Sequence, residues 1–287
     1  MAAQSCAGAM RLWVGALLLG VTLATPALSQ QSEETWNSIK SDIFGSKAAA
    51  IKDGDDLMSM DAPMRAEDAA VVPITVRALK PQAGETAIKA ITLVIDENPA
   101  PVAATVSFGP AAASASFSTR LRVNNYSFIR AVAEMNDGSL RMIKKFVKAS
   151  GGCSAPALKD QDKSVAETGQ LRLRQFAQGD PEAKDYALAP NDAGMAEAQI
   201  MIRHPNYSGL QMDQVTMLYI PAHYVREIAL KRGNALVMKM EGGISLSENP
   251  SFRFAFRKEG AGELSVRAED TQKQVFEKSW PVERAGS

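Results

Sequence analysis

Apolar residues in this chain recur at every second position, in short runs cut by turn residues. Ala115, Phe117, Thr119, Leu121 and Val123 alternate with Ser116, Ser118, Arg120 and Arg122. A period of two marks a strand with one packed face and one wet face. Val72, Ile74 and Val76 repeat the pattern, as do Ile91, Leu93 and Ile95. Between the runs lie Pro81-Gln82-Ala83-Gly84, Asn98-Pro99 and Gly109-Pro110, all turn formers. Phe128 to Met135 and Leu140 to Val147 flank Asn136-Asp137-Gly138, a strong hairpin signal. Short strands at this spacing predict an antiparallel sandwich.

A second strand-rich half begins near Ala196. Ile200 and Ile202 lead into His204-Pro205, and Val215 to Ile220 reads as a further strand. Val225 to Leu230 and Leu236 to Met240 flank Lys231-Arg232-Gly233-Asn234, a second hairpin. Phe252, Phe254 and Phe256 alternate with Arg253 and Ala255, then Leu264, Val266 and Ala268 follow. Val275 to Val282 forms the last run. The predicted fold is all-β, two sandwich domains joined by a linker, with a short N-terminal helix. Ser32 is the expected cap of that helix, and Trp36, Ile39, Ile43 and Phe44 form its apolar face. The expected divisions are 1–29, 30–148, 149–191 and 192–287. In the third, Leu171, Leu173 and Phe176 are able to pack.

Residues 1–29 read as a secretory signal peptide. Arg11 precedes the apolar run Leu12 to Leu23, and Pro26-Ala27-Leu28-Ser29 suits cleavage. The run is short for a membrane span, so the mature protein is expected in a bacterial periplasm, with no span after cleavage. Cys6 leaves with the signal, which makes Cys153 the sole thiol of the mature chain. An odd cysteine in an exported protein implies a free reactive thiol or an intermolecular bond. Cys153 follows Gly151 and Gly152, so it reads as presented on a flexible stretch. Lys144, Lys145, Lys148, Lys159 and Lys163 surround it in sequence, and nearby ammonium groups favour the thiolate.

Other chemistry is thin. The chain holds 32 basic and 32 acidic residues with no long basic run, which gives no support for nucleic-acid binding. Without a Cys-x-x-Cys pair a dithiol cycle is unsupported. The glycines before Cys153 lack the Lys-Ser or Lys-Thr of a phosphate loop. His204 and His223 sit beside proline turns without an acidic cluster, which favours structural, hydrogen-bonded rings over a metal site. A Cys153–histidine pair would have to pin the arm against the second half. Met58/Met60 and Met238/Met240 read as strand-core filling rather than copper ligands.

Several segments together resemble the two subunits of the SoxYZ sulfur-carrier complex, fused in one chain. In the first half, Ala62-Pro63, Ala66-Glu67-Asp68, Val72-Pro73-Ile74, Ile95-Asp96-Glu97-Asn98-Pro99, Arg130-Ala131-Val132-Ala133-Glu134 and Gly151-Gly152-Cys153 are similar to SoxY. In the second, Ile202-Arg203-His204-Pro205, Ile220-Pro221-Ala222-His223-Tyr224 and Ser247-Glu248-Asn249-Pro250 are similar to SoxZ. The order also looks like fused carriers associated with quinoprotein (PQQ-dependent) alcohol dehydrogenases. The resemblance implies two immunoglobulin-like sandwiches paired face to face. It implies that Cys153 is the covalent carrier residue, with Gly151 and Gly152 as arm glycines. It further implies partners among periplasmic Sox-type enzymes, c-type cytochromes or a quinoprotein dehydrogenase.

The family arm continues in glycines, whereas Ser154-Ala155-Pro156 follow here, and the arm is internal. The expected function is therefore a non-enzymatic carrier holding a sulfur-containing group on Cys153, with no bound cofactor or metal. The alternatives are a non-covalent module that docks a dehydrogenase or cytochrome, and a thiol enzyme using Cys153 with a histidine.

Overall fold

The computed structural model describes residues 24–84, 87–156, 166–176, 180, 188, 194–259 and 262–282. The expected signal segment falls mostly outside them. Among the described residues no helix is long and apolar enough to cross a membrane. The first element is helix α1 (Ala24–Phe44), followed by a 3-10 turn. The first half then supplies β1 (Lys52–Asp53), β2 (Met58–Asp61), β3 (Val72–Ala78), β4 (Ile88–Ile95), β5 (Val102–Phe108), β6 (Ala112–Leu121), β7 (Ser127–Met135) and β8 (Leu140–Val147). After these come β9 (Leu171–Phe176), β10 (Met195–Ile202), β11 (Val225–Arg232), β12 (Ala235–Gly242), β13 (Ser251–Arg257), β14 (Leu264–Asp270) and β15 (Val275–Trp280).

The predicted hairpins form. Asn136 to Ser139 join β7 to β8, with Gly138 left-handed at φ 80°, and Gly233-Asn234 join β11 to β12. Leu171 and Leu173 pack on the core from β9, which pairs with β10, and the Phe176 ring lies 4.1 Å from the Arg253 guanidinium. The apolar run Val215 to Ile220 forms no strand; it lies on an exposed turn. Helix α1 begins well before Ser32, which is therefore not its cap. The Ser32 hydroxyl instead donates to Asp96 (2.8 Å) and accepts the Phe128 N–H (2.9 Å).

The two halves meet edge to edge rather than face to face. One sheet runs β1-β8-β7-β4-β5-β12-β11-β14-β15, and the other β2-β3-β6-β13-β10-β9. The crossing pairs are β5 with β12 and β6 with β13, both antiparallel. An open edge strand carries unpaired backbone groups, and here each half closes an edge of the other in both layers. A single apolar core fills the space between the layers, from Val72 and Phe117 to Phe254 and Val266. Met58, Met60, Met238 and Met240 belong to that core.

Helix α1 covers the outer face of the larger sheet. Trp36, Ile39, Ile43 and Phe44 pack on Val94, Val132 and Leu140. Beneath it the fully buried Arg130 donates to both oxygens of Asp96 (2.8–3.0 Å) and to Glu33 (3.0 Å), and stacks 4.6 Å from the Trp36 ring. Burial pushes the Asp96 carboxyl up, and the Arg130 charge and hydrogen bonds work against that rise.

Candidate functional site

Where β8 ends, the chain turns onto the seam between the halves. The Lys148 carbonyl accepts the Ala66 N–H (3.0 Å). The Gly151 N–H then donates to the Asn124 carbonyl (2.7 Å) and the Gly152 N–H to that of Val123 (3.1 Å). Gly151 is left-handed at φ 77°, with open space around it. Gly152 is hemmed in. A Cβ there would lie 2.0 Å from the Ala69 carbonyl oxygen and 2.6 Å from that of Val123. Only a glycine lets the backbone approach so closely.

Cys153 follows, and its side chain is fully buried. This corrects the sequence expectation of a presented thiol. The second half ties down the backbone at and after the thiol. The Ser208 hydroxyl donates to the Cys153 carbonyl (2.5 Å), and the Gln211 amide donates to that of Ala155 (3.0 Å). Gln211 also accepts the Ser208 N–H (3.1 Å), which braces the two tethering residues against each other. Burial pushes the thiol up to about 11. The charge opposing that rise is Arg122, not the flanking lysines. Lys144 is held by Glu33, and Lys159 and Lys163 lie outside the described residues.

Arg122 is itself buried, and its guanidinium spans the seam. It donates to the Leu246 carbonyl (3.3 Å) and the Asn206 carbonyl (3.1 Å). Asn98 donates to the Arg122 carbonyl and to the Ser245 hydroxyl, both at 2.8 Å, and accepts the Asn124 N–H (2.8 Å). The segments carrying the sequence resemblance therefore frame the arm. Nothing local in the sequence pointed to Ser208, Gln211 or Arg122, because each acts across the seam.

The arm is pinned against the second half, but by Ser208 and Gln211 and not by a histidine. His223 Nε2 lies 2.8 Å from Asp270. His204 Nδ1 accepts the Asn206 N–H (3.0 Å), so a neutral ring carries its proton on Nε2, 3.6 Å from the same carboxylate. Burial holds His204 down to about 4, and neighbouring His223 adds to this. Burial works against the Asp270 charge, yet hydrogen bonds from His223, Gln274 and Gln272 hold its carboxyl below the ordinary value. The three ligand atoms lie within 4.8 Å of one another. A protonated Nε2 has no lone pair for a metal, and a ligating histidine donates its other N–H where His204 accepts. The cluster fits a hydrogen-bonded brace at the end of β14.

The residues match two family descriptions. Residues 40–153 match "Sulfur oxidation protein SoxY", and residues 187–281 match "Sulphur oxidation protein SoxZ". No curated protein sequence matches the chain. Among solved structures, the sulfur carrier protein SoxY from Chlorobium limicola f thiosulfatophilum is 23% identical with a TM-score of 0.34, over 42% of this chain and 99% of that one. Superoxide reductase (neelaredoxin) from Ignicoccus hospitalis is 18% identical with a TM-score of 0.30, over 33% of this chain and 80% of that one. The assignment rests on the two domain matches, in this order within one polypeptide. The chain belongs to the SoxYZ sulfur-carrier family, with its SoxY and SoxZ domains fused.

Proposed function

We propose that Cys153 is the carrier thiol, holding a sulfur-containing group and presenting it to periplasmic redox partners without itself being an enzyme. The observation that carries this is positional. The SoxY match runs to residue 153, where the structure places a free cysteine on a short arm at the seam with the SoxZ domain. The carrier residue and its arm glycines are thus Cys153, Gly151 and Gly152.

The energetics of the arm suit a carrier. Its docking contacts are the hydrogen bonds of Gly151, Gly152, Ser208 and Gln211, each contributing about 1 kcal/mol net. Ordering a short segment costs about 1–2 kcal/mol per residue, which offsets most of this and of the apolar burial, so the docked arm is favoured by only about 2–3 kcal/mol. Docking shelters the thiol as a neutral, unreactive group, and release restores an ordinary thiol. A sulfur–sulfur bond between a thiolate and a second sulfur anion forms with loss of two electrons. The loading partner therefore needs an electron acceptor, a role suited to c-type cytochromes or a quinoprotein dehydrogenase system.

Intact-mass and peptide analysis of protein purified from its native cell tests the proposal. The expected result is a sulfur-containing mass increment on the Cys153 peptide. An unmodified thiol under all growth conditions, with no phenotype for Cys153→Ala, refutes it.

A further inference from the structure

Segment 207–223 leaves the SoxZ-like half as a hairpin-like excursion. Its ends are tied by the Tyr207–His223 bridge, and its waist by the Met212–Tyr219 bridge. The tip holds Val215, 90% exposed, with Met217, Leu218 and Tyr219 at 64–68%. The other exposed large apolar residues among those described are Met64, Leu79, Val102, Leu210 and Val275. The tip is also held by its own hydrogen bonds. Asp213 accepts the Val215 N–H (3.0 Å), the Thr216 N–H (2.7 Å) and the Thr216 hydroxyl (2.9 Å), and the Met217 N–H closes onto the Asp213 carbonyl (2.9 Å). Met217 is held left-handed at φ 58°, a conformation a non-glycine residue keeps only when its surroundings impose it. An ordered, strained turn that offers apolar side chains to water marks a recognition element.

The other end of the same excursion ties down the arm at the thiol, where Ser208 and Gln211 donate to the Cys153 and Ala155 carbonyls. We propose that this hairpin is the docking element for the protein that exchanges cargo with Cys153. That partner meets the tip through an apolar cleft, and its binding draws Ser208 and Gln211 off the arm. The proposal rests on Cys153 being the carrier thiol. The chemistry of the tip defines the occupant. Between Leu210 and Ala222 the one charged residue is Asp213, whose carboxylate is engaged in the turn. The segment has no lysine or arginine to draw an anionic membrane. An apolar protein surface is the complement that remains, and continuity with the tether on the Cys153 arm favours the cargo-exchanging protein over a second copy of this chain.

The test uses the full chain and two variants. Val215→Ser with Leu218→Ser changes only exposed side chains. In the isolated protein its reaction rate with an aromatic disulfide reagent should equal that of wild type. In the native cell its Cys153 adduct should fall at least tenfold. Ser208→Ala with Gln211→Ala should react with the reagent at least tenfold faster than wild type. A tip variant loaded like wild type overturns the docking role and leaves the carrier reading intact. A Ser208→Ala, Gln211→Ala protein with wild-type reactivity overturns the tether and the proposal with it. Absence of any adduct on wild type removes the carrier reading and the docking role together. A wild-type dimer in sedimentation that the tip variant abolishes assigns the tip to self-association and overturns the proposal.

Discussion

Gly152→Ala is the sharpest perturbation the structure offers. The added methyl would meet the Ala69 carbonyl oxygen at 2.0 Å and the Val123 oxygen at 2.6 Å. Both are backbone atoms, and the Ala69 oxygen is fixed by the Val123 N–H (2.8 Å). Neither can yield cheaply, so the arm must leave its seat and expose Cys153. With the thiol held at about 11, roughly one molecule in 10,000 is thiolate at pH 7, against about 3% for an ordinary cysteine. That is roughly a 300-fold difference in thiolate. The more basic thiolate is the better nucleophile by about tenfold, leaving a net gain of roughly 20–30-fold on release. Stopped-flow labelling with an aromatic disulfide reagent from pH 6 to 10 measures it. The variant should label at least about 20-fold faster at pH 7, and its pH midpoint should fall toward about 8.5. Global stability should fall by only about 2–3 kcal/mol, because regained chain entropy offsets most of the lost hydrogen bonds. A Gly152→Ala protein with wild-type rate and midpoint would refute the docked-arm argument.

Further expectations concern the frame. Phe254 pairs with Phe117 across the seam and is buried, so Phe254→Ala should cost about 3–5 kcal/mol. Calorimetry should show one transition for both halves, and two separate transitions would contradict the shared core. Asp96→Asn removes a carboxylate from buried Arg130 and leaves Glu33 in place. It should cost about 3 kcal/mol in urea unfolding. His204 takes its proton near pH 4 when folded and near 6.5 when unfolded. The unfolded state binds more protons between these values, so stability present above pH 6.5 is lost as pH falls toward 4. The loss reaches about 3 kcal/mol. A denaturant midpoint that stays flat from pH 7 to 4 would rule this out, and His204→Gln should flatten the slope.

Much of the fold was legible locally. Alternation at Ala115–Val123 and the turn glycines Gly138 and Gly233 report conformations set by the residues themselves. The run Val215–Ile220 reads as a strand because short, nearly continuous apolar runs suit one, whereas Asp213 captures the turn N–H groups. Ser32 was misread as a cap because its true partners, Asp96 and Phe128, lie far along the chain.

The sequence by itself determined most of the strand segments and their turns, the family, and the position of a lone cysteine after two glycines. These are short-range properties of backbone preference and side-chain period. Tertiary structure alone decided that the sandwiches join edge to edge, since pairing depends on which edges meet. It decided the state of Cys153 as well. Ser208 lies 55 residues further along the chain, and only folding brings it over the arm. It also gave Gly152 its role, which is close approach to Ala69 rather than freedom. Burial and proximity belong to the assembled seam, and for that reason they carry no local signature.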